Sequence, residues 1–121
     1  MKYVLDRKET ERIMNYVKRS GRKVKLVWMK PLDFLSKVPH FLTTSYPLIF
    51  DLDEKYFDKN SLKYIKECYV KQKPLPPLML NYSNMWFGYP SHEGRHRAYV
   101  AYKMGIKKVP VLIIRNNEKS I

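Results

Sequence analysis

One cysteine, four glycines and no long apolar run set the first bounds on this 121-residue chain. With Cys68 alone, no disulfide closes within the chain and no cysteine-based zinc site assembles in it, so folding rests on ordinary packing. The longest apolar stretches, such as Val109 to Ile114, are far too short to cross a bilayer. Charges stand near the N-terminus where a signal peptide needs its apolar region, which predicts a soluble, cytoplasmic protein with no membrane partner. Acidic residues are scarce as well: 11 Asp and Glu face 24 Lys and Arg, a formal net charge of +13. An excess of that size in so short a chain costs self-repulsion and points to a polyanionic partner, DNA or another nucleic acid.

What is present suffices for a real core, since 45% of the residues are hydrophobic and 14% aromatic. No repeat, low-complexity tract or linker divides the chain, so residues 1–121 read as a single domain. Ile13, Met14, Tyr16 and Val17 recur at helical spacing between Asp6, a capping residue, and Gly21, a stop. Val24, Leu26 and Trp28 alternate with Lys23, Lys25 and Val27 as a strand does, and Pro31 to Val38 forms a short turn or helix. Phe41 to Phe57 reads as irregular, with one strand near Leu48 to Phe50. Asn60 or Ser61 caps a helix reaching about Gln72, whose buried stripe is Leu62, Ile65, Tyr69 and Val70. Leu75 to Leu80 is a strand whose first half lies at an edge or outside the sheet, because Pro76 and Pro77 have no N–H to donate. Asn81 to Asn84 reads as a hairpin turn, Met85 to Tyr89 as the returning strand and Pro90 to Glu93 as a loop. Gly94 to Met104 is a helix closed by Gly105, and Val109 to Ile114 a final buried strand. The fold class is α+β, a small mixed β-sheet flanked by helices.

The chemistry concentrates where strand gives way to helix, at Ser91-His92-Glu93-Gly94-Arg95-His96-Arg97. The first free amides of a helix and the positive end of its dipole favour an anion there. Gly94 permits close approach, Arg95 and Arg97 present planar donor forks, and His96 exchanges a proton near neutral pH. Gly94, Arg95, His96 and Arg97 are therefore candidate phosphate-binding residues. The plain alternative is a solvated first turn, but cations at a helix N-terminus are disfavoured unless an anion compensates them. Ala98, Ala101 and Gly105 leave one helix face narrow enough to lie against the sheet. A second basic run, Lys18, Arg19, Arg22, Lys23 and Lys25, can track a phosphate backbone; helix C-terminal complementarity accounts for Lys18 and Arg19 but not for the other three. Ten tyrosines serve mostly as packing residues, and exposed ones can stack on bases.

Glu93-Gly94-Arg95-His96-Arg97, the alanine-bearing helix after it, Gly105-Ile106 and Val109-Pro110-Val111 resemble the acidic-Gly-x-His-Arg motif and following segment of the ParB/sulfiredoxin superfamily. The resemblance covers about the last 60 residues and extends in outline upstream, through a helix and the Pro-Leu-Pro segment that leads into a strand. It implies a ParB/sulfiredoxin-like domain without the helix-turn-helix and dimerisation parts of partition proteins. Against the Gly-Glu-Arg-Arg-x-Arg box of the CTP-binding members, Gly94 and Arg97 match while Arg95, His96 and Tyr99 differ. Arg95 also stands where sulfiredoxins carry their reactive cysteine, which excludes sulfinic acid reduction; Cys68 reads instead as a buried structural thiol. The nearest pattern is that of ParB-like nucleases and nucleotide-dependent small-molecule kinases. It implies Glu93, His96 and Arg97 as catalytic residues, handling a proton and neutralising phosphate charge.

The leading functional expectation is a nucleic-acid-binding ParB-like domain with a phosphate-binding turn, acting as a DNA nuclease. The first alternative is a nucleotide-dependent kinase or NTPase that uses the same turn, and the second a non-catalytic regulatory or inhibitory module. The candidate cofactors are Mg²⁺ or Mn²⁺ and a nucleotide such as ATP, ADP or CTP. His92, Glu93 and His96 lack a third, distant ligand and are not assigned a metal. Asp51, Asp53 and Glu54 form a carboxylate run able to hold Mg²⁺ near a phosphate, although such runs are more often solvated loops. His40 reads as a surface or packing residue.

Overall fold

A computed structural model describes residues 1–38, 57–86 and 88–117 of the chain. The expected strand near Leu48 to Phe50, Pro39, His40 and the Asp51, Asp53, Glu54 run lie outside the described residues. Among the described residues eight elements follow in order: α1 (Arg7–Arg19), β1 (Arg22–Met29), α2 (Pro31–Leu35), α3 (Lys59–Val70), β2 (Leu78–Trp86), β3 (Tyr89–Glu93), α4 (Arg95–Lys103) and β4 (Val109–Asn116). The strands form one mixed sheet in the order β1-β4-β2-β3, with β2 parallel to β4 and both outer pairings antiparallel. This is the small α+β architecture that the alternation of patterns predicts.

β4 occupies the middle because Val109 to Ile114 is apolar without interruption, as a strand covered on both faces must be. Val109, Val111 and Ile113 face the main core, where Phe34, Leu78, Leu80, Ala98 and Ala101 are buried. Leu112 and Ile114 point to the opposite face, opposite Leu26 and Val24 of β1, over which α1 packs with its buried Val17. On the core face of β1, Val27 and Met29 pack against the main core while Lys23 and Lys25 are exposed, and these lysines protect the edge strand from pairing with another chain.

α1 begins where expected: the Asp6 carboxylate accepts from the Glu9 amide at 3.1 Å, and the Asp6 carbonyl accepts from the Thr10 amide at 3.0 Å. α3 differs at its start. Its cap is Asp58, whose carboxylate accepts from both the Ser61 amide (2.9 Å) and the Ser61 hydroxyl (2.7 Å). A carboxylate reaching the amide three residues on outcompetes Asn60 and Ser61, which lie inside the first turn. The buried stripe of α3 is Leu62, Ile65, Cys68 and Tyr69; Val70 is 58% exposed, and the buried thiol takes the place assigned to it.

The largest departure is the β2–β3 hairpin. Asn81 to Asn84 is no turn: β2 runs on to Trp86, and the connection contains Gly88 at φ +81°. Tyr89 to Glu93 is the returning strand, so Pro90 to Glu93 is paired instead of looped. Pro90 is tolerated because β3 is the outer strand of its pairing. The register jumps between Asn81, opposite Ser91, and Met85, opposite Pro90, which leaves Tyr82, Ser83 and Asn84 as an extended bulge. The Asn81 side-chain oxygen accepts from the Ser83 amide at 3.0 Å and the Asn84 carbonyl from the Ser91 hydroxyl at 2.7 Å, so the bulge is held by its own polar groups. The polar residues that read as a turn are the residues that stabilise the bulge.

Candidate functional site

Three cationic regions emerge among the described residues, one at the β3–α4 turn, one at the far end of the sheet and one between α3 and α4. The turn is built as expected from a strand running into a helix, with Gly94 as the N-cap at φ +106°. The reason for the glycine is internal. A Cβ there would lie 2.5 Å from the Leu78 Cγ and 3.0 Å from an Arg97 guanidinium nitrogen, so the protein itself fills the space.

Arg97 is buried and turned inward. Its guanidinium donates to the carbonyls of Pro76 at 3.2 Å and Pro77 at 3.4 Å, and approaches the exposed Glu93 carboxylate at 3.9 Å. The Arg97 carbonyl in turn accepts from the Tyr69 hydroxyl at 2.8 Å. Tyr3 also donates to the Pro76 carbonyl, and burial pushes its hydroxyl pKa up to about 12, against the opposing pull of Arg97. Leu5 pairs with Leu75 in an isolated bridge, so the N-terminal segment, the Pro76-Pro77 stretch and α4 are fastened together at Arg97. The two prolines supply carbonyls whose strand partners are missing, and the arginine satisfies them.

His96 is likewise engaged. Its Nε2 accepts from the Asp58 amide at 3.0 Å, and its ring meets Phe57 edge-on at 5.3 Å. Desolvation and the neighbouring Arg95 charge lower its pKa, against the pull of Asp58 and Glu93. His92 is shifted the same way, by burial first and then by Arg95. Arg95 lies over the Phe57 ring at 4.8 Å, and the other stacking partner of Phe57 is Tyr99 at 4.3 Å. Glu93, Arg95 and His96 thus share the turn, with Arg97 behind them. Ala98 and Ala101 are fully buried, as a narrow helix face requires, but Gly105 is exposed and its position open, so it closes the helix without packing. Among the described residues no group of three His, Cys, Asp or Glu side chains is placed to hold a metal ion.

The second region lies where β1 begins and β4 ends. Lys18, Arg22, Lys23 and Lys25 line a groove of about 570 Å³ together with Val24, Ile113 and Arg115. Four of the five residues of the basic run are therefore brought together, while Arg19 turns back and donates to the Asn15 carbonyl at 3.4 Å. Lys23 and Arg115 are directly opposite across the β1–β4 pairing. The bulge in β2 supplies the rest: Arg115 lies over the Tyr82 ring at 4.3 Å, and Arg22 donates to the Ser83 hydroxyl at 3.3 Å. No carboxylate lines this groove among the described residues. Arg115 and Tyr82 escaped the sequence reading because nothing local to either marks it; strand order and register alone place them beside Lys23. A third groove, between α3 and α4, carries Lys59, Lys63, Lys66 and Lys103, whose spacing on α3 was visible in the sequence.

No protein-family model, curated protein or solved structure matches the chain. No helix among the described residues is long and apolar enough to cross a membrane.

Proposed function

We propose that the protein binds nucleic acid through the basic end of its sheet, with Lys18, Arg22, Lys23, Lys25 and Arg115 contacting phosphates. The observation that carries this reading is the Lys23–Arg115 cross-strand pair in a groove that no carboxylate lines among the described residues. Like charges directly opposite in a sheet destabilise it, and a polyanion relieves the repulsion. The net charge of +13 supplies the long-range attraction. Titration of the protein with labelled oligonucleotides at 50 and 200 mM salt tests it: affinity falls by about a hundredfold or more between the two if about five phosphates are neutralised. Salt-independent binding, or none at low salt, contradicts it.

A second reading belongs to the β3–α4 turn and follows from the ParB/sulfiredoxin resemblance: phosphodiester cleavage, or phosphoryl transfer from a nucleotide. Its support is the exposed Glu93 and the neutral bias of His92 and His96 beside the Arg95 guanidinium, which offers a base near a cation, His96 serving as one when its Nε2 releases the Asp58 amide. Arg97 serves this reading by holding α4 in place, since its donors are engaged by Pro76 and Pro77. Glu93→Gln and His96→Asn abolishing cleavage of a bound oligonucleotide in the presence of Mg²⁺ or Mn²⁺, with binding intact, supports it. Binding with no cleavage under those conditions leaves the protein a non-catalytic module.

A further inference from the structure

The hairpin formed by β2 and β3 carries Met85 and Trp86 at its end, 48% and 60% exposed. Large apolar side chains held in water at a hairpin tip mark a surface that meets something apolar. Trp86 lies four residues beyond Tyr82 on the same strand, roughly 13 Å at full extension and less across the bulge. Tyr82 already stacks with Arg115 beside Lys23, so an aromatic ring and a guanidinium plane line one wall of the basic end of the sheet, and the Trp86 indole follows farther along the same strand. The parallel β2–β4 register, which pairs Asn81 with Ile114, brings Tyr82 next to Arg115; the Ser83 hydroxyl accepts from Arg22, while Asn81 and Ser91 hold the backbone of the bulge.

The partner that matches both properties is anionic along its length and offers flat apolar faces at intervals. A duplex presents its phosphates outward but keeps its base faces stacked inside. An unpaired strand presents both. We infer that the nucleic acid bound is single-stranded, with its phosphates in the Lys23–Lys25–Arg115 groove and one or two bases stacked on Trp86 and on the Tyr82–Arg115 pair. This inference rests on the proposed nucleic-acid binding and assigns it a substrate class. The sugar is not selected by these contacts, so DNA and RNA strands bind alike.

The chain has two tryptophans, so Trp28→Phe leaves Trp86 as the sole indole reporter. That variant is titrated with an unpaired 20-nucleotide oligothymidylate, with a 20-base-pair duplex, and with vesicles of phosphatidylserine and phosphatidylcholine. Quenching of Trp86 emission by the unpaired strand, with little change on adding duplex, is the expected result. In the parent chain, Trp86→Ala lowers affinity for the unpaired strand by about tenfold or more and for the duplex by less than twofold. Salt-sensitive binding of both oligonucleotides with no quenching and no effect of Trp86→Ala overturns the stacking inference and leaves the binding proposal standing. No binding to either oligonucleotide overturns both. A blue-shifted emission with vesicles, without quenching by the unpaired strand, makes the tip a membrane contact and overturns the inference.

Discussion

At the β3–α4 turn the cationic side chains face the protein, whereas at the end of the sheet they face outward. Arg97 has carbonyl partners at Pro76 and Pro77, Arg95 has the Phe57 ring, and His96 has the Asp58 amide. Lys23 and Arg115 instead stand opposite one another, Arg115 over the Tyr82 ring, with no carboxylate lining their groove among the described residues. Residues of the same kind thus do opposite things: inward, they satisfy buried polar groups and fix the fold; outward, they repel each other and wait for an anion. A basic motif at a helix start is therefore insufficient by itself to locate a phosphate site. Which donors are already spent decides the matter.

The sharpest way to break this contrast is at Gly94. Gly94→Ala places a Cβ 2.5 Å from Leu78 and forces alanine to φ +106°, so overpacking and backbone strain together cost about 3 kcal/mol or more. A fall in melting temperature of roughly 10 °C or more is expected. Gly88→Ala, at φ +81° with nothing within 4 Å, is the control and costs only about 1 kcal/mol. Equal losses at the two positions would mean that Gly94 is demanded by backbone angle alone and not by packing over Leu78.

Arg97→Met comes next. It leaves the Pro77 carbonyl without its donor and the Pro76 carbonyl with the Tyr3 hydroxyl alone, and destabilises by about 1–3 kcal/mol in denaturant unfolding. Oligonucleotide affinity of the folded fraction stays within twofold. Unchanged stability with lost binding would reverse the assignment and make Arg97 a phosphate ligand.

Lys23→Ala combined with Arg115→Ala has the opposite signature. Affinity for nucleic acid falls about tenfold or more at low salt and the salt dependence becomes shallower by one to two contacts. Stability holds or rises by up to about 0.5 kcal/mol, because the like-charge pair is gone. A clear loss of stability would show that the pair is compensated within the protein.

The smallest effect is with pH. The folded-state pKa of His96 lies below its ordinary value of 6.5, because burial and Arg95 disfavour the imidazolium. The stability this group contributes is complete above pH 6.5, where it is neutral in both states, and is lost as pH falls from there toward the folded-state value. His92 acts in the same direction. Stability measured by denaturant at pH 7.5 and pH 5 should drop for the parent chain and drop less for His96→Gln; an identical drop in both would remove His96 from the account.

Much of the fold was legible because its signals are local. Asp6, the alternation of Val24, Leu26 and Trp28, the apolar run of β4 and the start of α4 at Gly94 each announce an element from within a few residues. The hairpin was not, because the Asn81 side chain, accepting from the Ser83 amide, and the Ser91 hydroxyl, donating to the Asn84 carbonyl, stabilise an extended bulge with the same side-chain-to-backbone bonds that stabilise turns. The cap of α3 was misplaced by two or three residues because Asp58, Asn60 and Ser61 are all capable caps and tertiary placement beside His96 chose among them. At the candidate site, Lys18, Arg22, Lys23 and Lys25 were visible as a run. Arg115 and Tyr82 were not, since their membership depends on β4 lying between β1 and β2 and on the register of those pairings. The inward direction of Arg97 was equally hidden: it follows from the lack of strand partners at Pro76 and Pro77, twenty residues upstream.

One measurement bears most directly on the outward-facing region as the binding surface: affinity for an unpaired oligonucleotide at 50 mM salt, for Lys23→Ala/Arg115→Ala and for Arg95→Gln side by side, with thermal unfolding of each. The expected result is a loss of about tenfold or more for the sheet variant, less than threefold for Arg95→Gln, and unfolding within a few degrees of the parent for both. Preserved affinity in the sheet variant with a large loss for Arg95→Gln would contradict the account and return the phosphate site to the β3–α4 turn.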